Sequence, residues 1–516
     1  MDIREWDAVV IGGGVAGLSA AQMLGRARRR TLVIDAGSPR NRFAAHMHGV
    51  LGHDGVDPAE LLARGRREVE AYGVVVESDE VIDAVDEDDT IRITRRSGSI
   101  EHARALVVAT GIRDVLPDIA GLDALWGTSA LHCPYCHGWE VRERRLAVVA
   151  TSPASLHQIE LVRQWSDEVT AFTAALGEVE PEVSARLAAR GIRVIAAPAR
   201  AVIRDDAGAL LAIEDATGTA HPADAVFVGP TPEIPLDFLA ALALARTDQP
   251  GSPLAVDALG ATSHRRVWAA GNVAAPYGNV PLSMGAGSMA GAAVNAALVA
   301  EDAAQAVAAN RALRNAHWEE RYTESTRFWS GRVNETTAAA IAPLPPGTAL
   351  EIGCGEGADA IWLAEQGWTV TAVDVSPTAI ERARTAAVER GVADRVRFLV
   401  TDAVDALPDG PFDLVVSSFL HSWEHDFPRI GILRDAARRV APGGSLLAVS
   451  HAAVPPWSSH DGHERPMLLT PAEELALLHL DDGWTADRAE IVPRETTAPD
   501  GSPAHLDDGV LLLRRS

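Results

Sequence analysis

A short apolar run leads directly into a glycine-rich turn near the start of the chain, and this arrangement constrains the fold more than any other sequence feature. Residues 6–11 are typical of a buried parallel strand, and Gly12, Gly14 and Gly17 follow where an Ala- and Leu-rich helix begins. Gly12 permits the tight turn, Gly14 lets backbone amides approach a pyrophosphate, and Gly17 lets helix and strand pack closely. The positive end of the helix then faces the phosphates.

A second predicted strand, residues 31–34, ends in Asp35. This acid lies close to the expected distance of about 20 residues for a ribose-binding carboxylate. Strand, glycines, helix, strand and acid together predict a dinucleotide site and favour it over a glycine-rich turn without a ligand. We expect this site to contain Gly12, Gly14, Ala16, Gly17 and Asp35.

Two later segments complete a recognisable order of motifs. Residues 105–111 form another buried strand that ends in Ala109, Thr110 and Gly111, and residues 267–273, which contain Gly271 and Asn272, precede a Gly/Ala-rich helix. With the cysteine pair at positions 133 and 136, this order resembles the low-molecular-weight thioredoxin reductases over roughly residues 5–310. The resemblance implies bound FAD.

The same resemblance implies how FAD is held. The first glycine motif binds its ADP half, the Ala-Thr-Gly turn lies beside the dinucleotide, and Gly271 and Asn272 hold the ribityl chain. Asn272 replaces the aspartate that is usual in the family. An amide can still donate to and accept from a ribityl hydroxyl, so FAD binding is expected to survive.

Cys133 and Cys136 are two of only three cysteines, and His132 and His137 flank them. Such a pair can close a disulfide, supply half of a metal site or lie inert in a core. A zinc site needs about four ligands, and the third cysteine, Cys354, belongs to another motif, so we predict no metal. A glutaredoxin would carry the motif near the start of a small fold. Redox activity is therefore the favoured interpretation.

By the family resemblance, Cys136 would face the flavin and Cys133 would exchange with the external thiol or disulfide. The proton donor after the second cysteine is usually aspartate in the family, and here it is His137. Histidine can move protons in either direction near neutral pH. The sequence Cys-Pro-Tyr-Cys-His-Gly is closer to the flavin-dependent dithiol oxidases of the gliotoxin and holomycin pathways, so the predicted catalytic residues are Cys133, Cys136 and His137.

The second dinucleotide motif expected of a thioredoxin reductase is degenerate. The strand at residues 146–149 is intact, but residues 150–155 contain no glycine where backbone must meet a pyrophosphate. After the next strand, residues 173–178 lack the arginine cluster that would bind a 2′-phosphate. NADPH is therefore a doubtful cofactor, and electrons are expected to pass from a dithiol through the cysteine pair to FAD and then to oxygen.

A new glycine turn follows the strand at residues 348–352, and another strand ends in an acid at position 374. These motifs, with later ones at residues 411–417 and 441–446, resemble class I S-adenosylmethionine methyltransferases over about 180 residues. The resemblance implies that Asp374 accepts from the ribose hydroxyls and that Asp402 meets the adenine amine. The expected cofactor residues are Glu351, Gly353, Gly355, Gly357, Asp374 and Asp402.

The methyl acceptor is indicated less directly. Residues 318–322 and 329–331 resemble the openings of small-molecule methyltransferases related to the thiopurine and tellurite-resistance enzymes. Four aromatic or imidazole side chains are expected near the acceptor pocket: His421, Trp423, His425 and His451. A histidine there is either a general base or a hydrogen-bonded structural residue.

These motifs together predict an α/β chain. The expected domains are the first part of an FAD domain (1–117), an inserted NAD(P)-like domain that carries the cysteine pair (118–243), the second FAD part with a linker helix (244–315), and a Rossmann-like class I methyltransferase (316–516). By analogy with the family, the chain is expected to form a homodimer.

Composition excludes several classes of function. A net charge of −25 argues against binding to nucleic acid or to an anionic membrane. The sequence contains no lysine, which excludes a lysine Schiff base and a Walker-type phosphate loop. No signal peptide or membrane span is expected, and three cysteines favour a reducing cytoplasm over a disulfide scaffold.

The fusion suggests a joint task on a small molecule. The leading hypothesis is a bifunctional enzyme that oxidises a dithiol and methylates a nucleophile, with a sulfur of the same dithiol as the suggested acceptor. The expected partners are a small-molecule dithiol or disulfide, or a small redox protein, and a small-molecule methyl acceptor. Two rival hypotheses are NADPH-dependent disulfide reduction and a flavin redox sensor that gates the methyltransferase.

Overall fold

The first strands are near-continuous apolar runs because both of their faces are buried. The computed structural model describes residues 4–420, 427–453, 468–498 and 501–516, and the chain divides into two compact units, Met1–Ala304 and Gln305–Ser516. The first unit begins with β1 (Arg4–Ile11), α1 (Val15–Arg26), β2 (Thr31–Asp35), α2 (Pro58–Ala71), β3 (Val75–Ser78), β4 (Val81–Glu87), β5 (Thr90–Arg95), β6 (Ile100–Val108) and β7 (Arg113–Val115).

The first six strands, β1 to β6, form a sheet in the order β3-β2-β1-β6-β5-β4. β1 pairs in parallel with β2 and with β6, whereas β5 pairs antiparallel with β4 and β6. The strand order reverses at β1. In open α/β sheets, ligands bind at the carboxyl ends of the strands beside such a reversal. The topology therefore places the predicted glycine turn at the expected binding edge.

A second group of elements follows β7 and has sheets of its own. It contains β8 (Ala130–Leu131), α3 (Pro134–His137), β9 (Leu146–Val149), α4 (Ser155–Val162), β10 (Val169–Phe172), α5 (Pro181–Ala189), β11 (Arg193–Ile195), β12 (Ala199–Arg204), β13 (Leu210–Asp215), β14 (Ala220–Pro222) and β15 (Ala225–Val228). β11-β10-β9-β15-β8 form a parallel sheet, and β12-β13-β14 form an antiparallel one. β16 (Thr231–Glu233) then pairs antiparallel with β7, so this pair flanks the insertion.

The chain returns to the first sheet through β17 (Val267–Ala269), which pairs in parallel with β6, and continues into α6 (Val280–Thr323). α6 packs closely on α1, because a Cβ at Gly287 would lie 2.0 Å from the carbonyl oxygen of Ala16. α6 continues to Thr323, so residues 316–323, which the sequence assigned to the methyltransferase domain, belong to the same helix. By length and composition α6 also suffices to cross a membrane, a test that a core helix meets equally well.

The second unit continues with α7 (Glu335–Ile341), β18 (Thr348–Ile352), α8 (Ala358–Glu365), β19 (Thr369–Asp374), α9 (Pro377–Glu389), β20 (Val396–Val400), β21 (Phe412–Ser418), α10 (Arg429–Arg438), β22 (Val440–His451), α11 (Pro471–Leu478), β23 (Trp484–Thr497) and β24 (Pro503–Arg515). Its sheet has the order β20-β19-β18-β21-β22-β24-β23, with β24 antiparallel to both neighbours. The order reverses at β18, so the second glycine turn also lies at a binding edge.

Candidate active sites

The glycines of the first turn are required for different reasons. Gly12 has a positive φ of 107°, and a Cβ there would lie 2.4 Å from the carbonyl oxygen of Ala109. A Cβ at Gly17 would lie 1.9 Å from the carbonyl oxygen of Gly12. Gly14 has a φ of −76°, and no atom lies within 4 Å of its Cβ position. The fold itself does not require glycine at position 14, so the open space there fits the close approach of a pyrophosphate.

Asp35 lies at the carboxyl end of β2, as the sequence predicted for a ribose-binding acid. Its Oδ1 accepts from the amides of Gly13 and Gly37, each at 3.1 Å. Its Oδ2 is paired with the guanidinium of Arg66 on α2. Sequence reasoning missed Arg66, because α2 contains three arginines and nothing in its sequence indicates which of them turns toward the nucleotide turn.

The two later motifs meet the first one. β6 lies between β1 and β17, so the turns after all three strands lie side by side, and a Cβ at Gly271 would lie 2.8 Å from the Cβ of Ala16. The structure thus brings the predicted FAD residues Ala109, Thr110, Gly111 and Gly271 to the edge that carries Gly12. An open cradle and convergent turns fit a dinucleotide cofactor.

Asn272 takes a role that the sequence did not indicate. Its Nδ2 donates to the carbonyl oxygens of Ala275, Pro276 and Gly278 at 3.0, 3.3 and 2.8 Å. The amide group therefore shapes the loop that precedes α6. The expected donation to a ribityl hydroxyl would have to replace these bonds, which leaves Oδ1 as the atom suited to a cofactor hydroxyl.

The predicted redox pair is joined in this structure. Cys133 is the N-cap of α3, its sulfur forms a disulfide with Cys136, and the two Cα atoms are 5.2 Å apart. Tyr135 and Trp139 beside it are 74% and 65% exposed. The ring of Tyr135 meets the edge of Trp165 at a centroid distance of 5.7 Å, so one part of this aromatic rim is held in place.

Both flanking histidines are set to be neutral near pH 7. Burial lowers the pKa of His132, and the positive charge of Arg40 adds to this effect against Asp114. Burial also lowers the pKa of His137, with Glu140 opposing and His48 contributing. Neutral imidazoles can accept protons from thiols that enter the site. The predicted catalytic residue His137 directly follows Cys136 and has an imidazole that is neutral near pH 7, and its role in catalysis stays a prediction.

A loop that sequence reasoning did not use contributes to this cluster. Nε2 of His48 lies 3.5 Å from Oε1 of Glu140. Arg40 forms a two-pronged ion pair with Asp114, at 2.8 Å for each contact, and donates to the carbonyl oxygen of Pro276 at 2.7 Å. Three histidines within residues 46–53 were the available signal, although they gave no indication of a contact with the cysteine segment.

The loop after β9 satisfies its own backbone amides. Oγ of Ser155 accepts from the amides of Thr151 and Ser152 at 3.0 and 3.3 Å. Oγ1 of Thr151 donates to the carbonyl oxygen of Gly229 at 2.8 Å. A dinucleotide phosphate would need such amides for itself. The arrangement agrees with the degenerate motif in the sequence.

The second unit contains a cavity of about 1180 Å³ at the carboxyl edge of its sheet. The predicted cofactor residues in its lining are Glu351, Gly353, Gly355, Asp374 and Asp402. Gly357 is not part of the described lining. It has a positive φ of 81°, and a Cβ there would lie 2.8 Å from the Cβ of Ala383, so its role is to shape the turn and to pack on α9.

The acids of this cavity are arranged for a polar ligand. Asp374 accepts from the amides of Gly355 and Ser376 at 2.8 and 3.0 Å, and burial raises its pKa. Burial also raises the pKa of Glu351 well above its usual range, with repulsion from Asp359 and Asp374 adding to it. Oε2 of Glu351 has no hydrogen-bond partner among the described residues. A buried carboxyl oxygen left without a partner fits a cofactor that brings a donor.

Asp402 and the aromatic residues near the start of the second unit also line this cavity. Asp402 accepts from Nδ2 of Asn315 and from the amide of Val404, each at 2.9 Å. Trp329 donates from Nε1 to the hydroxyl of Tyr322 at 3.0 Å, and burial raises the pKa of Tyr322. The stretches 318–322 and 329–331, predicted from resemblance, therefore reach the cavity.

Sequence reasoning missed the acid that holds this segment. Glu356 accepts from the amides of Phe328 and Trp329 at 3.1 and 2.9 Å and from Nη1 of Arg382 at 2.9 Å. It lies within the glycine turn, where only the glycines were given roles. His451 lines the cavity, whereas His421, Trp423 and His425 lie outside the described residues.

Comparisons with known proteins find a separate match for each half of the chain. The family model of the pyridine nucleotide-disulphide oxidoreductases matches residues 6–298, and the model of a methyltransferase domain matches residues 349–444. The thioredoxin reductase tcpT of Claviceps purpurea is 31% identical over 305 residues, which are 57% of this chain and 95% of that protein. The crystal structure of HlmI is 42% identical, with a TM-score of 0.56, and the match covers 60% of this chain and 97% of that one.

The methyltransferase half has relatives of its own. The 2-heptyl-1-hydroxyquinolin-4(1H)-one methyltransferase of Mycobacteroides abscessus is 36% identical over 166 residues, which are 31% of this chain and 63% of that protein. The chain spans only 44% of the "Probable thioredoxin reductase" of Arthroderma benhamiae, at 32% identity. These matches confirm the predicted α/β class, the flavin-type unit and the fused methyltransferase. The chain belongs to the pyridine nucleotide-disulphide oxidoreductase family, as a thioredoxin reductase-like enzyme that carries a C-terminal methyltransferase domain.

Proposed function

We propose that this chain is a bifunctional enzyme that oxidises a small dithiol at an FAD site and transfers a methyl group from S-adenosylmethionine to a small molecule. The proposal depends above all on one contrast. The Cys133–Cys136 disulfide lies among neutral histidines in a flavin-type unit, while the loop that would bind a second dinucleotide uses its amides on Ser155. We therefore expect electrons to enter from thiols rather than from NADPH.

The dithiol step needs two sulfur exchanges. One substrate thiolate attacks a sulfur of the Cys133–Cys136 disulfide, and the second then attacks the resulting mixed disulfide. The substrate leaves as a disulfide, and its two electrons remain on the pair as thiols. Two protons leave the substrate thiols, pass through the imidazoles of His132 and His137, and end on the thiols of Cys133 and Cys136. Burial lowers the pKa of each imidazole, so both are neutral near pH 7 and can take up a proton. FAD, when bound, would supply the two-electron acceptor for the reduced pair, and oxygen would take up the two electrons and two protons to become hydrogen peroxide.

Anaerobic mixing tests the direction of electron flow. Dithiothreitol is expected to bleach the flavin of the full chain quickly, NADPH is expected to leave it oxidised, and oxygen is expected to restore the colour. Rapid bleaching by NADPH would favour the reductase activity named in the fungal relatives and contradict the oxidase proposal.

Matched variants test which residues carry out the thiol–disulfide exchange. Cys133→Ser and Cys136→Ser are expected to abolish bleaching by dithiothreitol. His137→Gln should slow it by about 10²-fold, a usual contribution of a general base. His157→Gln, at an exposed position on α4, is the control and should react as the unchanged chain does. Equal rates in the two histidine variants would remove His137 from the mechanism.

Two acceptor atoms are considered for the methyl group. The fusion favours sulfur, since a dithiol handled by the first unit could be methylated by the second. The name of the Mycobacteroides relative instead points to a hydroxylated ring. Incubation of the full chain with dithiothreitol, with and without S-adenosylmethionine, separates disulfide from methyl thioether by mass spectrometry. If neither product forms, the joint use of one dithiol is wrong.

A further inference from the structure

A cross-strand pair of ionisable residues lies in the methyltransferase unit. His451 is the last residue of β22, lines the cavity and is directly opposite Asp508 of β24 in the antiparallel register. Residues opposite each other in such a pair project to the same face of the sheet. Nδ1 of His451 lies 3.8 Å from Oδ1 of Asp508. The imidazole is 28% exposed and the carboxylate is fully buried, so the histidine lies between the acid and the cavity.

The buried acid is held in its charged form. Burial opposes ionisation, but the nearby imidazole of His451 and hydrogen bonds from Arg494 and Thr336 keep the pKa of Asp508 below its usual range. Oδ2 accepts from Nε of Arg494 at 2.7 Å and from Oγ1 of Thr336 at 2.8 Å. A carboxylate on the Nδ1 side of a histidine favours the proton on that nitrogen. In that tautomer Nε2 carries no proton, so it is the nitrogen that would accept one.

The surroundings of His451 suit a flat apolar ring. The centroid of the Phe419 ring lies 4.7 Å from the centroid of the His451 imidazole. Trp318, Trp329 and Phe427 line the same cavity. The cavity of about 1180 Å³ exceeds the roughly 300–1,000 Å³ of a typical single-ligand site. It has room for a cofactor and a second molecule. Of the described residues that contact the pair, Arg494 on β23 is charged, whereas Thr336 on α7 and Phe419 are neutral.

We infer that His451 accepts the proton of a hydroxyl group on an aromatic methyl acceptor, with Asp508 orienting the imidazole. The inference rests on the proposed methyl transfer. In the reaction a C–O bond forms while the methyl–sulfonium bond breaks, and its electron pair stays on sulfur. The hydroxyl proton goes to Nε2 of His451 and then to solvent. A thiolate would need no such base, so the pair favours oxygen as the acceptor atom.

A matched pair of acceptors tests this assignment. The full chain is assayed with S-adenosylmethionine and either 2-naphthol or 2-naphthalenethiol at pH 8, where the thiol is ionised and the naphthol is not. His451→Gln is expected to lower methylation of 2-naphthol by about 10²-fold or more. Methylation of the thiol should fall by much less. His505→Gln, exposed on the same strand as Asp508, is the control that should change neither rate.

A second readout needs no turnover. 4-Nitrophenol is yellow only as the phenolate, so its titration midpoint when bound to the chain reports the neighbouring base. His451→Gln is expected to shift that midpoint upward, and His505→Gln is expected to leave it in place. If His451→Gln lowers the methylation rates of 2-naphthol and 2-naphthalenethiol equally, the role of His451 is overturned. An unchanged titration midpoint of 4-nitrophenol in this variant would overturn it as well.

Two outcomes separate this inference from the proposed function. If the unchanged chain binds S-adenosylmethionine in calorimetry but methylates only the thiol, the hydroxyl assignment is wrong and methyl transfer stands. If it methylates neither probe, the acceptor class inferred here is wrong. Failure to bind S-adenosylmethionine as well would remove the proposed methyl transfer itself.

Discussion

At the scale of single residues, the same amino acid can serve the ligand or the fold, and its bonds decide which. Asn272 departs from the family's aspartate, and the sequence presented it as a modified cofactor contact. In the structure its Nδ2 reaches three backbone carbonyls of the following loop. A carboxylate at this position would face those oxygens without a proton to donate.

Asn272→Asp, which restores the family residue, is therefore expected to destabilise this unit. Asn272 is only partly buried, so the loss of the donated bonds should cost about 0.5–1.5 kcal/mol, the usual net contribution of a hydrogen bond. Urea unfolding followed by flavin fluorescence measures the change. Asn279→Asp is the matched control, since Oδ1 of Asn279 only accepts, from the amide of Leu282 at 3.2 Å, and a carboxylate accepts equally well. An Asn272→Asp chain as stable as the control would show that the loop does not depend on Nδ2.

At the scale of elements, the strand–turn–helix unit of β1 and α1 contains glycines with separate purposes. The consensus pattern assigns Gly14 to the approach of a pyrophosphate and Gly17 to the packing of the helix on the strand. The structure distinguishes them, because the Cβ position of Gly14 is open, whereas that of Gly17 meets the carbonyl of Gly12 at 1.9 Å. One glycine leaves room for a ligand and the other lets the helix approach the strand.

Alanine at these two positions should give opposite results. Gly17→Ala is expected to destabilise the unit by a few kcal/mol, roughly 1–3 for an overpacked contact, because backbone must move. Gly14→Ala should leave the stability of the flavin-free chain nearly unchanged and lower its flavin content. Absorbance at the flavin band and thermal unfolding of flavin-free protein measure the two effects. A Gly14→Ala chain that keeps its flavin would show that no phosphate approaches this position.

At the scale of the whole molecule, the chain divides into two units that each have their own sheets and buried clusters. Each unit also carries one predicted cofactor site. A ligand that binds only a folded unit stabilises that unit by mass action, by about 2.7 kcal/mol at a hundredfold excess over Kd.

Calorimetry is therefore expected to show two unfolding transitions with separate responses. S-adenosylmethionine should raise the midpoint of one, and FAD added to flavin-free protein should raise the midpoint of the other. Fluorescence of bound flavin identifies which transition belongs to the first unit. A single transition that rises with either ligand would contradict this division into two units.

The sequence by itself determined the features that depend on neighbours along the chain. Buried runs such as residues 6–11 and 348–352 predicted β1 and β18, and the glycines after them predicted turns. Period, turn chemistry and spacing are local, so they can be recognised without knowing the rest of the fold. The degenerate loop after β9 was visible for the same reason.

The tertiary structure alone decided which distant residues share a site. Arg66 at Asp35, His48 at Glu140 and Glu356 at the amide of Trp329 are contacts between segments far apart in sequence. The partner of His451 became evident only when β22 and β24 were placed in register, 57 residues apart, which brings a buried carboxylate behind the imidazole. Strand order and register arise from burial of whole sheet faces, and no local pattern contains that information. The sequence therefore predicted two cofactor edges, and the fold supplied the side chains that surround them.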